Sequence, residues 1–417
     1  MTEQHVRVAI VGGGPAGLTA AAAVAPMVGG DVLVIEREAE TGGIPRHSDH
    51  PGYGMRDLNR FVSGPAYARR LTETAQGAGA VLETEAMVTG WAGERRLQVT
   101  SPRGVKTVTA DAVVLATGAR ERPRPARLVP GDRPDGVYTT GQLQNLVHLH
   151  QAGVGRRALI VGAELVSWSA VLTLREARSA TVAMVSAYPR AEAYAAFRMS
   201  GRLLMKGPVL TRSRLVGIHG KDRVRSALVE NLDSGVRTTI ECDTVVFTGD
   251  WIPDHELART GGLVMDAATR GPLVDGALRT TAPGVFAVGN LLHPVDTADG
   301  AALDGRHVAS ALTRWLQGRD VGPEDDGRRP VRIRTEKPLR WVAPQLVSSG
   351  VGAPRGHLLF WVDEYRRLPR LRAVQDGRTL ATKRTPWPAA PGRVYRAPWT
   401  LVAGAHPTGG DITVSIC

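Results

Sequence analysis

The sequence predicts an α/β fold: two βαβ units, the second inserted within the first, followed by a small, mostly β C-terminal region. Three observations predict it. A strand runs into a glycine-rich turn at residues 8–17, and a second strand does the same at 158–162. Residues 331–417 then alternate short apolar runs with turn residues, as in His357-Leu358-Leu359-Phe360-Trp361-Val362. The 417 residues leave room for two or three domains.

Val8-Ala9-Ile10-Val11 is an unbroken apolar run, the mark of a strand covered on both faces. It leads into Gly12-Gly13-Gly14-Pro15-Ala16-Gly17, and nineteen residues after Gly17 the run Val32-Leu33-Val34-Ile35 ends in Glu36 and Arg37. This is the G-x-G-x-x-G-plus-acid pattern of a Rossmann-like dinucleotide-binding unit. Gly12 permits the tight turn, Gly14 lets the backbone approach a pyrophosphate, and Gly17 lets helix and strand pack closely. The helix opening at Pro15 and Ala16 turns the positive end of its dipole to the phosphates. Glu36 is expected to accept hydrogen bonds from the adenosine ribose. Pro26 is expected to end this helix, placed near 16–25.

Two later segments point to FAD rather than NAD. Asp111-Ala112-Val113-Val114-Leu115 is a buried strand ending in the turn Ala116-Thr117-Gly118, and Gly284 to Val288 is a strand ending in Gly289-Asn290. The Ala116-Thr117-Gly118 turn resembles the one at which two-dinucleotide-domain flavoproteins leave the FAD domain, and Gly-Asn resembles their ribityl-binding Gly-Asp. That resemblance implies FAD, and Asn290 can still bond a hydroxyl. A small-residue helix with Ala301, Ala302, Ala309 and Ala311 follows, its amino end suited to negative charge on a reduced flavin. Asp299 either contacts the ring or caps this helix, with capping favoured.

The second unit starts with Ala158-Leu159-Ile160-Val161-Gly162, but its turn continues Ala163-Glu164-Leu165-Val166-Ser167. Glu164 and Ser167 replace the second and third glycines. A carboxylate repels a pyrophosphate, and no acid ends the next strand at Val185-Ser186. NAD(P)H binding is therefore doubtful. Strands are expected at 181–186, 209–218, 223–231 and 236–241, with 245–251 carrying the chain back. The predicted organisation is an FAD-binding domain at 1–122 and 252–325, a degenerate NAD(P)-binding-like domain at 123–251, a linker at 321–327 and the β-rich region at 331–417.

No apolar run reaches membrane-spanning length, and the first strand begins where a secretory leader would stand. Cys242 and Cys417 form no C-x-x-C pair, cluster motif or metal site. A cytoplasmic setting is the default expectation. The net charge of +12 is confined to residues 327–398, with 16 Arg and Lys against 4 Asp and Glu. No nucleic-acid module accompanies it. A solvated arginine-rich surface is favoured over a face that steers an acidic partner.

These motifs resemble two-dinucleotide-binding-domain flavoproteins of the thioredoxin-reductase-like and opine-oxidase-like kind. The similarity is closer to the FAD subunits of hydrogen cyanide synthase, opine oxidase, dye-linked proline dehydrogenase and heterotetrameric sarcosine oxidase. It is closer still to the FAD oxidoreductases associated with anaerobic-type glycerol-3-phosphate dehydrogenase. The segments carrying it are Gly42-Gly43-Ile44, His50-Pro51-Gly52-Tyr53-Gly54, Gly64-Pro65-Ala66-Tyr67-Ala68, Gly289 to His293 with Asp296 and Asp299, and Leu339 to Gln345. The resemblance implies an FAD oxidoreductase with Gly43 and Ile44 at the cofactor. It also implies that a partner subunit is often present, with a homo-oligomer as the other possibility. Where those relatives carry Gln-Cys, this chain has Arg46-His47, so thiol chemistry is not expected, nor is a cluster within this chain.

The resemblance places segment 42–54 across the isoalloxazine. His47 and His50 are candidate proton carriers and Arg46 a candidate anion holder for a small-molecule substrate. His293, just past Gly-Asn, is a third candidate; a plain histidine bonded to a backbone carbonyl is the competing reading. The leading expectation is an FAD dehydrogenase or oxidase of a small polar substrate. The alternatives are an electron-transfer subunit carrying FAD, an NAD(P)H-dependent flavin reductase or monooxygenase, and an FAD-stabilised interaction module.

Overall fold

The first apolar run becomes the centre of a mixed sheet. In the computed structural model, strand Thr2–Val11 runs parallel to Val32–Ile35 on one side and Gly104–Leu115 on the other. Val81–Glu83 extends the sheet in parallel. Gly104–Leu115 has a divided outer edge. Its first half takes Arg96–Ser101 in antiparallel, and Val113–Leu115 take Val285–Ala287 in parallel. The structure describes residues 2–193, 204–205, 207–294, 296–319, 330–348 and 351–417. The expected linker at 321–327 lies outside them.

The residues cluster into two compact units. One holds Met1–Arg46, Gly52–Ala119 and Pro253–Cys417; the other holds His47–Pro51 and Arg120–Ile252. In the first, helices Pro15–Val24 and Ala298–Leu316 pack so closely that a Cβ on Gly305 would stand 2.1 Å from the Ala16 carbonyl oxygen. The first helix stops where Pro26 requires, passing into a 3-10 turn at Ala25–Met27.

The second unit repeats the pattern. Strand Arg157–Val161 lies between Thr244–Phe247 and Ala180–Val185, all parallel, with Val137–Thr139 and Val209–Leu210 outside them. Helix Leu165–Glu176 follows the turn. The single strand expected at 209–218 is two: Arg212, at φ 48, turns the chain between Val209–Leu210 and Ser213–His219. The second piece opens an antiparallel sheet with Ser226–Asn231 and Arg237–Glu241.

The C-terminal region clusters with the first unit. Its strands form one sheet ordered Leu346–Val347, Val331–Thr335, Ile412–Ile416, Arg370–Gln375, Arg378–Arg384, and another of Leu339–Ala343, His357–Val362, Tyr395–Pro398. Phe360, Tyr395, Leu371 and Ile412 are among its buried side chains. Among the described residues no helix is long and apolar enough to cross a membrane.

Candidate functional site

The first glycine turn leaves no room for side chains where the motif has none. A Cβ on Gly12, at φ +108, would stand 2.5 Å from the Ala116 carbonyl oxygen, and one on Gly17 only 2.0 Å from that of Gly12. Gly14 differs. It caps helix Pro15–Val24 at φ −82, ψ −174 without a side-chain bond, and its missing Cβ faces nothing nearer than the Gly43 Cα at 4.0 Å. The helix end is thus bare toward a ligand. Gly42 N donates to the Gly13 carbonyl at 2.7 Å, holding the 42–43 loop beside the turn. Gly43 sits at φ +61, and Ile44 opens the short helix Ile44–His47.

Glu36 is buried. Its Oε2 accepts from Gly13 N at 2.7 Å and its Oε1 from Glu38 N at 2.9 Å, leaving each oxygen a further lone pair for a ribose hydroxyl. Arg37 pairs with Asp254 at 3.2 Å. Asp254 is also fixed from the Ala116-Thr117-Gly118 turn: Thr117 Oγ1 donates to its carbonyl at 2.7 Å, and its N–H donates to the Gly118 carbonyl at 2.9 Å.

The second motif meets the first at Gly289. A Cβ there would lie 2.8 Å from that of Ala16 and 3.3 Å from that of Ala301, so the starts of both helices converge on this residue. Asn290 Nδ2 donates to the Asp296 carbonyl at 3.0 Å, while its Oδ1 is buried with no hydrogen-bond partner. A buried orphan acceptor beside two uncapped or lightly capped helix ends fits a polyhydroxyl chain and pyrophosphate. These residues therefore fit FAD. Asp299 does not cap the helix: Thr297 does, its Oγ1 accepting from Gly300 N, because the cap geometry needs the residue just before the first turn. Asp299 instead accepts from Arg56 N at 3.2 Å.

His293 is buried, and its partner is a carboxylate rather than a backbone carbonyl: Nε2 donates to Asp304 Oδ2 at 2.5 Å. Its Nδ1 is buried with no partner. Around it lie Asp296, Asp304, Arg355 and Arg396. Burial by itself raises the pKa of Asp296, but Arg396, His293 and Arg355 together outweigh it and hold the carboxyl below its ordinary value. Burial likewise pushes Asp304 up, but His293 first and then Arg355 outweigh it and hold that carboxyl low. Sequence reasoning missed both arginines. They come from the C-terminal region, and only the cation excess there hinted at them.

The remaining candidates are engaged elsewhere. Arg46 faces Glu38 at 3.6 Å and Glu40 at 3.7 Å. His47 and His50 belong to the second unit. His50 Nδ1–H donates to the Pro51 carbonyl at 2.9 Å, so its Nε2 accepts from Ser48 Oγ at 3.0 Å; Gln144 donates in turn to Ser48 at 3.2 Å. Burial lowers the His50 pKa, which leaves it neutral at pH 7. Among the described residues no cluster of His, Cys, Asp and Glu could hold a metal ion.

The second glycine turn carries its own carboxylate. Glu164 caps helix Leu165–Glu176 at φ −82, ψ −176, and its side chain folds over the turn. A Cβ on Gly162 would lie 2.8 Å from its Oε2, and one on Gly249 only 2.3 Å from its Oε1. Burial raises its pKa, and Oε1 has no hydrogen-bond partner. Glu192 joins it. Its N–H donates to the Ala163 carbonyl at 3.1 Å, and Ser186 Oγ stands 3.1 Å from both its carboxylate oxygens. Burial, then the charge of Glu164, pushes Glu192 up to about 8. Glu192 carries no motif, and sequence reasoning passed over it.

A family model described as pyridine nucleotide-disulphide oxidoreductase matches residues 6–305. The chain is 28% identical over 292 residues to a ferredoxin–NADP reductase from Ignicoccus hospitalis, covering 68% of this chain and 88% of that one. It is 26% identical over 349 residues to an opine oxidase subunit from Rhizobium meliloti, covering 75% and 61%. Thioredoxin reductase from T. acidophilum superposes with a TM-score of 0.63 at 20% identity, covering 74% of this chain and 98% of that one. That last likeness is one of fold. Proteins of the matched family are FAD-binding oxidoreductases, commonly with NAD(P)H.

Proposed function

Because the chain belongs to the pyridine nucleotide-disulphide oxidoreductase family, we propose that it is an FAD oxidoreductase reduced by a small polar substrate rather than by NAD(P)H. FAD supplies the two-electron acceptor. Gly12, Gly14, Pro15, Ala16, Gly17 and Glu36 are proposed to hold its ADP half, with Arg37, Gly43 and Ile44 alongside. Thr117, Gly118, Gly289, Asn290, Asp299 and Ala301 are proposed for its ribityl and ring half. On this reading residues 1–122 and 252–325 are the FAD domain, 123–251 a nucleotide-domain relic, and 331–417 an accessory β region.

The observation that carries the reading is the buried Glu164 carboxylate in the second turn, between Gly162 and Gly249. Helix ends of this kind bind phosphate through bare N–H groups and positive dipole. Here the turn itself buries a carboxyl group between Gly162 and Gly249, with a second acid, Glu192, near it. A pyrophosphate entering there displaces one buried acid and crowds the other.

The second reading is an NAD(P)H-dependent reductase, and the relatives favour it over substrate oxidation. The chain aligns along most of a ferredoxin–NADP reductase, whereas it covers less of the opine oxidase chain. Anaerobic titration of the FAD-loaded protein separates the two. No flavin bleaching by NADH or NADPH is expected, with bleaching by a hydroxy acid, amino acid or polyol phosphate. Rapid bleaching by either nicotinamide establishes the second reading and overturns the first.

A further inference from the structure

Cations of the C-terminal region face two ways. Arg370, Arg372 and Arg384 are exposed on one sheet, and Arg370 stands directly opposite Arg384. Arg355 and Arg396 turn inward. Arg396 Nη2 reaches Asp296 Oδ1 at 2.9 Å. Arg355 reaches Asp304 at 3.2 Å and Asp296 at 3.6 Å, and donates to the Gly300 carbonyl at 3.0 Å.

The two acids they meet are wired into the proposed flavin site. Asp304 Oδ2 accepts from Gly289 N at 3.3 Å as well as from His293. Asp296 takes Thr297 N on Oδ1 at 2.9 Å, and its carbonyl holds the Asn290 amide. Gly300 lies in the first turn of the helix that Thr297 caps. So the turn that places Asn290, and the helix end behind it, both hang on two carboxylates with side-chain exposures of 2% and 1%. Such carboxylates persist only when paired. Besides His293, the nearest cation from elsewhere among the described residues is Arg56, at 3.9 Å from Asp296.

We propose that Arg355 and Arg396 are positioning residues for FAD: acting through Asp304 and Asp296, they fix the Gly289-Asn290 turn and make the C-terminal region part of the cofactor site. The proposal rests on the reading that this turn holds FAD. Asn290 Oδ1, His293 Nδ1 and Arg355 Nε are all buried without partners, so this corner retains unspent donors and acceptors.

The test measures FAD binding to the full-length apoprotein by flavin fluorescence quenching, with near-ultraviolet circular dichroism to report folding. Arg355→Met is expected to weaken FAD by about tenfold or more, the order expected when a buried carboxylate loses its cation. Asp304→Asn added to Arg355→Met is expected to recover most of that loss, because the orphaned charge goes with it. A purely packing role for Arg355 predicts no such rescue. If Arg355→Met does not fold, Arg355→Lys is read instead, with weakened binding expected because lysine cannot bridge both acids and Gly300. FAD affinity within twofold of wild type in the folded variant, or no rescue by Asp304→Asn, overturns the proposal. Gly289→Val separates the underlying reading: if it folds and keeps FAD, the turn does not hold the cofactor.

Discussion

The two glycine turns share one backbone and differ in what fills it. Gly14 and Glu164 cap their helices at nearly the same angles, φ −82 with ψ −174 and −176. Gly12 N bonds the Ile35 carbonyl at 2.9 Å, and Gly162 N bonds that of Val185 at 2.8 Å. In the first turn the acid, Glu36, stands behind the glycines and anchors Gly13, so the helix end stays bare. In the second the acid is the cap residue itself, and its carboxylate lies between Gly162 and Gly249. On the proposed reading, one backbone serves both turns, and side chains at two or three positions decide which of them receives a dinucleotide.

The largest expected effect comes from giving the first turn what the second tolerates. Gly17→Val drives a side chain into the Gly12 carbonyl, 2.0 Å from the ideal Cβ, and should cost at least ~3 kcal/mol and abolish FAD binding. Ser167→Val should be far milder. Equal losses in thermal stability and flavin content would break the comparison. Next is Glu36→Leu, which orphans the buried Gly13 N–H at a cost of about 1–3 kcal/mol and lowers FAD affinity. Calorimetry and flavin titration check it.

Glu164→Gln is expected to stabilise the second unit by about 1 kcal/mol, since it removes a buried carboxylate with an unpaired oxygen. Glu164→Gly should go further and admit an adenine dinucleotide, seen as saturable NADH fluorescence enhancement absent from wild type. Binding by wild type and variant alike would show that Glu164 is no plug.

A pH trend gives a further measurement. Glu192 is raised to about 8 in the folded chain, from about 4.5 when unfolded. Between these values the folded state holds the extra proton, so stability falls as pH rises through that window and levels off above it. Glu192→Gln should flatten the decline of the thermal midpoint between pH 5 and pH 8. A slope unchanged by the substitution assigns the trend elsewhere.

What was legible in the sequence was local. Gly12, Gly14, Gly17 and Glu36 are read from spacing because each answers a steric or hydrogen-bonding demand within one βαβ unit. The substitutions Glu164 and Ser167 in the second turn are local in the same way. Glu192 was not: it returns to Ser186 and Ala163 through a loop with no periodicity. His293 and Asp304 pair eleven positions apart, across the cap of a helix, with nothing in the pattern to join them. Arg396 meets Asp296 at a separation of 100 residues, which composition registers only as an excess of charge.

The divided edge of strand Gly104–Leu115 also sets an order of events. Its last residues pair with Val285–Ala287, partners 172 positions apart at Val113 and Val285, and Arg120–Ile252 of the second unit lie between them. Closing so long a loop costs entropy before any contact repays it, and such pairings form late. Gly289 and Asn290 follow directly on that last strand. On the proposed reading, the flavin site is complete only once these strands have paired, and FAD then favours the chains that have done so by mass action.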